Sequence, residues 1–162
     1  MEKYNYLIGI DCGTATGLAV WDGKALQRME TYQLHRALDF VREWKEECHG
    51  PVDFAVFVED ARQRKWIPRE ANMKERIGRA QGAGGVKRDA VIWQEFCTWH
   101  GIPLILVPPR LNATKLDPEP FARITGWKKR TSNHARDAAM LVWNKPMSCA
   151  LFEPYLFKPK KK

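Results

Sequence analysis

The chain has 162 residues, of which 44% are hydrophobic and 28% are charged, and its formal net charge is +8. These values predict a single globular domain with one core. No apolar run is long enough to cross a membrane and no cleavable signal is visible at the N-terminus, which predicts a cytoplasmic protein. The four cysteines form no CxxC pair, which disfavours a zinc site and a disulfide framework.

The first part of the chain predicts three antiparallel strands. Residues 6–11 (YLIGID) form a buried strand, and a glycine-containing turn leads into a second strand over residues 18–22. Asp22-Gly23 is a hairpin signal, which places a third strand over residues 25–34.

The rest of the chain predicts helices that alternate with two further strands, because apolar residues recur at helical spacing between two continuous apolar runs. The predicted elements are a helix over 35–48, a strand over 53–59, an irregular segment over 60–78, a helix from about Gly82–Gly85 to Gly101 with Ile92, Phe96 and Trp99 on its buried face, a strand over 102–107, one or two short helices within 112–125 interrupted by Pro118 and Pro120, and a last helix over 133–144.

This order of elements predicts an α/β fold with a mixed five-stranded sheet, three antiparallel strands plus two parallel strands, flanked by helices. The domain is expected to span residues 1–145, and residues 146–162 are expected to form a mobile basic tail.

Positive charge is concentrated in three clusters. Residues 62–88 contain nine basic and two acidic side chains, and nine minus two leaves +7 in one segment. The other clusters are 128–130 and 158–162. Such a distribution favours a polyanionic partner, either nucleic acid or an anionic membrane surface. The alternative for the first cluster is a solvated loop whose Trp66 folds back onto the core.

Three acidic residues lie where they do not serve stability. Asp11 and Glu59 end apolar strands, and Asp137 lies near the start of the last helix, three residues after His134. The apolar members of the same helical stripe must face the core, so these two side chains lie at its core-facing edge. A buried carboxylate costs several kcal/mol unless it is paired or binds a metal.

One shared metal site would explain these four residues together. Oxygen-rich ligands suit Mg²⁺ or Mn²⁺, and the histidine favours Mn²⁺ slightly. Two such ions activate water and stabilise the leaving 3′ oxygen in phosphodiester hydrolysis. Each residue also has a simpler explanation when it is taken alone: a turn residue for Asp11, the start of a solvated loop for Glu59, a neutral helix-terminal histidine for His134, and a helix-dipole partner for Asp137.

Four segments resemble the RuvC-type Holliday-junction resolvases of the RNase H-like superfamily. IGIDCGTATGLAVWD (8–22) is similar to the family's opening strand–turn–strand motif, and VFVED (56–60) resembles its second acidic motif. RIGRAQGAGGVKRDAV (76–91) is similar to the glycine-containing entry into the following helix, and HARDAAMLV (134–142) resembles the C-terminal motif. The order and intervals agree over residues 6–145.

The resemblance implies an RNase H-like fold, a homodimer, and Mg²⁺-dependent nicking of four-way DNA junctions, with neither a membrane nor a nucleotide cofactor involved. It implies that Asp11, Glu59, His134 and Asp137 bind the metals, two ions per site, and that Lys115 matches a lysine that contacts the phosphate. The loop 60–75 is longer and more basic than the family pattern, and the segment around Pro118 and Pro120 also differs.

The basic residues and one tryptophan are predicted to bind DNA, with phosphates on the cations and an unpaired base stacked on the indole. The predicted set is Arg62, Arg64, Lys65, Trp66, Arg69, Arg76, Arg79, Lys87, Arg88, Lys128, Lys129 and Arg130.

Three other functions are compatible with the sequence. A related nuclease could act on RNA–DNA hybrids, structured RNA, or flaps and forks with the same carboxylates. IGIDCGTATG also resembles the first phosphate motif of sugar kinases and actin-like ATPases, but those folds need a second copy of the domain. A non-catalytic DNA-binding module is the third, although a pure binder has no reason to keep carboxylates against phosphates.

Overall fold

The computed structural model describes residues 3–63, 73–112 and 115–159, without the side chains of residues 73–77, 79 and 149–151. Its strands are β1 (Tyr6–Asp11), β2 (Thr16–Trp21), β3 (Leu26–Tyr32), β4 (Phe54–Glu59) and β5 (Leu104–Val107). Its α-helices are α1 (Leu34–Glu47), α2 (Met73–His100), α3 (Pro118–Thr125) and α4 (Asn133–Val142), and short 3-10 helices span Ala61–Gln63, Pro109–Asn112 and Cys149–Tyr155.

The strands form one mixed sheet in the order β3-β2-β1-β4-β5. β1 pairs antiparallel with β2, and β2 pairs antiparallel with β3, whereas β1–β4 and β4–β5 are parallel pairs. The predicted fold class is therefore confirmed, including the division into three antiparallel and two parallel strands.

The sheet has a hydrophobic core on each face. Leu7 and Phe57 belong to the core under α4 and α3, whereas Ile8 and Val56 belong to the core under α1 and α2. Successive side chains of a strand point to opposite faces. Asp11 therefore lies on the same face as Leu7, and Glu59 on the same face as Phe57, which is the face that α4 covers.

The long helix α2 differs from its prediction at the start and in its buried face. It begins at Met73 and continues through Gly82, Gly84 and Gly85, where a start was expected. Glycine costs about 1 kcal/mol relative to alanine inside a helix, but it does not interrupt the backbone hydrogen bonds. The helix buries Ala90, Trp93 and Cys97. Of the predicted face, Phe96 packs against the same core and Ile92 is half-buried, whereas Trp99 is 86% exposed.

Two proline-containing segments also differ from expectation. Pro118 and Pro120 lie in the first turn of α3 and so begin this helix, because a proline there loses no intrahelical hydrogen bond. The segment after Pro146, expected to be a mobile tail, contacts the domain through residues as far as Phe157. The Phe152 ring meets Phe57 at 4.8 Å, and the Phe157 N–H donates to the Leu104 carbonyl at 2.8 Å.

Among the residues described, no helix is both long enough and apolar enough to span a bilayer. The longest, α2, carries charged and polar residues along its length.

Helix α4 lies directly on the backbone of the sheet at two glycines. A Cβ at Gly9 would overlap the Ala138 carbonyl oxygen, and a Cβ at Gly17 would overlap the His134 carbonyl oxygen. Both opposing atoms belong to the helix backbone and cannot rotate away. Glycine is therefore required at both positions for α4 to reach its place.

We expect Gly17→Ala to destabilise the protein by about 1–3 kcal/mol, because the added methyl pushes α4 away from the sheet. The measurement is the free energy of unfolding in urea. Gly50→Ala is the matched control, since nothing lies within 4 Å of a Cβ at that position. Equal stability of the two variants would contradict the proposed close contact.

Candidate active site

The carboxylates of Asp11 and Glu59 lie at the same edge of the sheet. β1 and β4 are parallel neighbours whose register pairs Ile10 with Val58, so the next residues end the two strands side by side. Both acidic residues are only 9% exposed. Strand order and register thus bring together two residues separated by 48 positions in sequence.

Helix α4 adds a histidine and a third carboxylate. Ser132 caps its N-terminus by accepting from the Ala135 N–H at 3.0 Å, and the Ser132 hydroxyl also lies 2.6 Å from that of Thr31 on β3. The first turn is therefore fixed to the sheet. His134 Nδ1 lies 3.1 Å from Asp11 Oδ2, and Asp137 follows one turn later.

Asn112 connects two of the acidic residues. Its amide is buried, and Nδ2 donates to Glu59 Oε2 at 2.7 Å and to the Asp137 backbone carbonyl at 3.5 Å. A neutral donor orients the Glu59 carboxylate without adding a charge that would compete with a cation.

Lys115 makes an ion pair with the third carboxylate. Its Nζ lies 2.7 Å from Asp137 Oδ2, and the two side chains are 55% and 13% exposed. The ammonium therefore reaches a largely buried acid from the solvent side.

The electrostatics reflect the crowding of negative charge. Burial raises the pKa of Asp11, and the charges of Asp137 and Glu59 raise it further, against the hydrogen bond from His134 and the charge of Lys115. Burial lowers the pKa of Lys115, but the Asp137 hydrogen bond and the three acids outweigh it, so the net shift is upward. Asp11, Glu59, Asp137 and Lys115 therefore belong to one electrostatic cluster.

The donor set suits a hard divalent cation, since it offers carboxylate oxygens and one imidazole. Within the described part of the chain, no three His, Cys, Asp or Glu side chains are close enough together to form a ready-made metal cluster. Asn112 and Lys115 instead hold Glu59 and Asp137. The side chains fit Mg²⁺ or Mn²⁺ in chemistry, and coordination of one ion by all of them requires that they move closer together.

Arg136 is a buried cation that binds backbone rather than an acid. Its Nε donates to the Leu116 carbonyl at 2.8 Å, and Nη1 donates to the carbonyl and hydroxyl of Thr131 at 3.1 and 3.2 Å. One side chain of α4 thus fixes the segment that follows Lys115 and the end of the loop that carries the basic residues 128–130.

A second network fixes the chain immediately after Glu59. The Arg62 guanidinium makes a bidentate pair with buried Asp60, at 2.7 and 3.1 Å, and donates to Gln94 Oε1 of α2 at 3.0 Å. Burial opposes ionisation of Asp60, but the hydrogen bonds from Arg62 and Gln63 lower its pKa overall. The guanidinium of Arg62, predicted to bind DNA, is thus engaged within the protein.

The other predicted DNA-binding residues fall into two groups. Lys87, Arg88, Lys128, Lys129 and Arg130 are exposed. Arg64, Lys65, Trp66 and Arg69 lie outside the described residues, as do the side chains of Arg76 and Arg79.

Sequence reasoning missed Asn112, Arg136 and Asp60. Asn112 and Arg136 bind groups 53 and 20 positions away in the sequence, which sequence spacing alone does not reveal. The one available signal is the pairing of Asp60 with Arg62 at a spacing of two residues, which is common in surface loops as well.

No family model and no curated protein matches the chain by sequence. Solved structures do match. The chain is similar to Thermus thermophilus RuvC in complex with a Holliday junction substrate, with 19% identity and a TM-score of 0.51 over 85% of this chain and 90% of that one. A second Thermus thermophilus RuvC structure matches with 21% identity and a TM-score of 0.47, over 84% and 90%. The chain therefore has a RuvC-like fold.

We expect Asn112→Asp to destabilise the protein by about 1–3 kcal/mol at neutral pH, because it places a second carboxylate against buried Glu59 and removes its donor. Urea denaturation in EDTA measures the effect. Asn5→Asp is the matched control, since the Asn5 amide also donates to a carboxylate, that of Asp53, but at an exposed position. Similar losses in the two variants would contradict the role of burial.

We expect Asp11→Asn to stabilise the protein in EDTA. Because the folded-state pKa of Asp11 is raised above 3.8, stability falls as the pH rises through that value and the buried carboxyl ionises. At neutral pH the variant should melt about 2–4 °C higher, the shift that corresponds to about 1 kcal/mol at this chain length.

The gain should narrow in acid, where the wild-type carboxyl is protonated, and the measurement is melting temperature against pH. Glu46→Gln, which neutralises an exposed carboxylate on α1, should change the melting temperature little. A lower melting temperature for Asp11→Asn at neutral pH would refute the expectation.

Proposed function

We propose that the protein is a divalent-metal-dependent endonuclease that hydrolyses phosphodiester bonds in branched DNA, four-way junctions included. The observation that carries the proposal is the placement of Asp11 and Glu59 at one edge of the sheet, under helix α4. This helix sets His134 against Asp11, and its Asp137 acts on Asp11 through its charge. Ionised carboxylates so placed repel each other and attract divalent cations.

The residues of the site have three kinds of role in the proposed reaction. Asp11, Glu59, Asp137 and His134 would hold Mg²⁺ or Mn²⁺, two ions per site, which would supply activation of water and stabilisation of the leaving oxygen. Asn112 orients Glu59. Lys115 supplies a positive charge on the solvent side of the acids, where a DNA phosphate would approach.

The surroundings of the site suit a polyanion. An open cleft of about 1000 Å³ lies between α3 and the loop 126–131, and Lys128, Lys129, Arg130 and Trp127 are among the residues that line it. Arg136 also lines this cleft and hydrogen-bonds the Leu116 carbonyl, so the cleft adjoins the segment that carries Lys115. Such a cleft can take the phosphates of a strand that leaves the acidic site.

A second basic surface lies on the other side of the sheet. Burial raises the pKa of Cys12, which directly follows β1, and the negative charge of Asp89 on α2 raises it further. This part of α2 is therefore close to the end of β1. Lys87 and Arg88 directly precede Asp89 and are exposed. Two basic surfaces around one acidic site favour a branched substrate over a single duplex.

We further propose that the protein acts as a homodimer, since a symmetric four-way junction offers two equivalent strands to two identical sites. The structural neighbour that carries Holliday junction DNA is RuvC. RNA–DNA hybrids, flaps and forks remain the alternative substrates, and a substrate panel distinguishes them.

We expect the protein to cut four-way junctions with Mg²⁺ or Mn²⁺ and to be inactive in EDTA. Asp137→Asn should reduce cleavage at least roughly 100-fold, because loss of a metal ligand costs no less than loss of a residue that supports one. Junction binding should persist, since the variant removes negative charge that faces phosphates. The measurements are gel-based cleavage of junction, flap, duplex and RNA–DNA hybrid, and a mobility-shift assay.

Glu46→Gln is the control, because it removes an exposed carboxylate on α1. Cleavage in EDTA, or normal cleavage by Asp137→Asn, would overturn the proposed site. Cleavage of the RNA–DNA hybrid but not of the junction would support the proposed active site and contradict the proposed substrate.

A further inference from the structure

The Lys115 ammonium lies against the Asp137 carboxylate oxygen that a cation bound to this oxygen would also contact. Lys115 Nζ lies 2.7 Å from Asp137 Oδ2, and its charge also acts on Glu59 and Asp11. Three ionised carboxylates give a charge of −3, and the ammonium reduces it to −2. Both a lysine and a divalent cation satisfy the same carboxylate oxygen, but they cannot occupy the same place.

We propose that Lys115 and a divalent cation are alternative partners of the Asp137 carboxylate, so that Lys115 weakens metal binding until a DNA phosphate draws its ammonium away. This inference rests on the proposed function, because it assumes that the acidic cluster binds metal. It adds a coupling between metal and substrate that the ligand set alone does not contain.

The geometry allows the side chain of Lys115 to move while its backbone stays in place. The following carbonyl, that of Leu116, accepts from the buried guanidinium of Arg136 at 2.8 Å. The Lys115 side chain is 55% exposed and has a flexible four-carbon stem. The ammonium can therefore turn from Asp137 toward solvent without displacement of the segment that bears it.

A DNA phosphate is a suitable new partner for the ammonium. It carries a full negative charge, and a charge-assisted hydrogen bond to lysine replaces the one that Asp137 gives up. Asp137 Oδ2 then becomes available to the metal. Because coupling between two ligands is reciprocal, metal that binds Asp137 would in turn release Lys115 for the phosphate.

A permanent structural ion pair predicts the opposite result. If Lys115 served to hold Asp137 in place for the metal, its removal would leave the carboxylate disordered and weaken metal binding. The two roles therefore differ in the sign of the change in metal affinity when the ammonium is lost.

The experiment measures Mn²⁺ binding to the full-length protein without DNA, by isothermal titration calorimetry or by the electron paramagnetic resonance signal of unbound Mn²⁺. Lys115→Gln should bind Mn²⁺ roughly fivefold more tightly than the wild type, since it removes one repelling charge next to the ion. Lys115→Arg keeps the charge and should bind as the wild type does. Lys24→Gln removes an exposed charge from the β2–β3 turn and should also bind as the wild type does.

A second measurement separates affinity from turnover. At saturating Mn²⁺, Lys115→Gln should cut junctions more slowly than the wild type because the phosphate has lost its partner. Tighter Mn²⁺ binding together with slower cleavage supports the proposal. Equal or weaker Mn²⁺ binding by Lys115→Gln overturns it.

The controls distinguish a failure of the inference about Lys115 from a failure of the proposed function. If the wild type binds Mn²⁺ and Asp11→Asn reduces that binding, the metal site stands and the lysine variants alone decide the inference. If the wild type neither binds Mn²⁺ nor cuts any substrate, the proposed function falls, and the inference falls with it.

Discussion

The contact between the backbone of α4 and the two glycines of the sheet is the constraint on which the site depends. Gly9 on β1 and Gly17 on β2 let the helix carbonyls of Ala138 and His134 approach the strands without an intervening side chain. The helix is thereby brought close enough for His134 to meet Asp11. A larger residue at either glycine would preserve the order of strands and helices but would change the distances within the site.

Once α4 lies this close, each carboxylate needs a hydrogen-bond partner of its own, and the structure provides a different partner for each. His134 contacts Asp11, the neutral amide of Asn112 holds Glu59, and Lys115 holds Asp137. None of these partners removes the negative charge of the whole cluster, since only one is a permanent cation. The site therefore retains a net attraction for cations while each acid has a defined orientation, which is the requirement for a selective cation site.

The sequence predicted the parts of this arrangement that follow from periodicity and burial. Asp11, Glu59 and Asp137 were identified because an acid next to a buried apolar run is costly, and the sheet was predicted because strand and helix periods alternate clearly. Asn112 could not be found this way, since an asparagine three residues after a pair of prolines is equally typical of a turn. The start of helix α2 was misplaced because glycines suggested a boundary. Its buried face was only partly predicted, because Ala90, Trp93 and Cys97 face the core while Trp99 is exposed.

Two arginines, Arg62 and Arg136, connect the acidic site to the surfaces around it. Arg62 was predicted to bind DNA and Arg136 was assigned no role from the sequence, and the structure engages both with groups inside the protein. Each arginine binds an element of the site to its surroundings. Arg62 connects the chain after Glu59 to α2, and Arg136 connects the chain after Lys115 to α4. The lysines that remain exposed at 87 and 128–129 are thus carried on segments adjoining anchored backbone. A phosphate bound at such a surface would be held in a defined position relative to the carboxylates, as the proposed hydrolysis of one bond in a branched substrate requires.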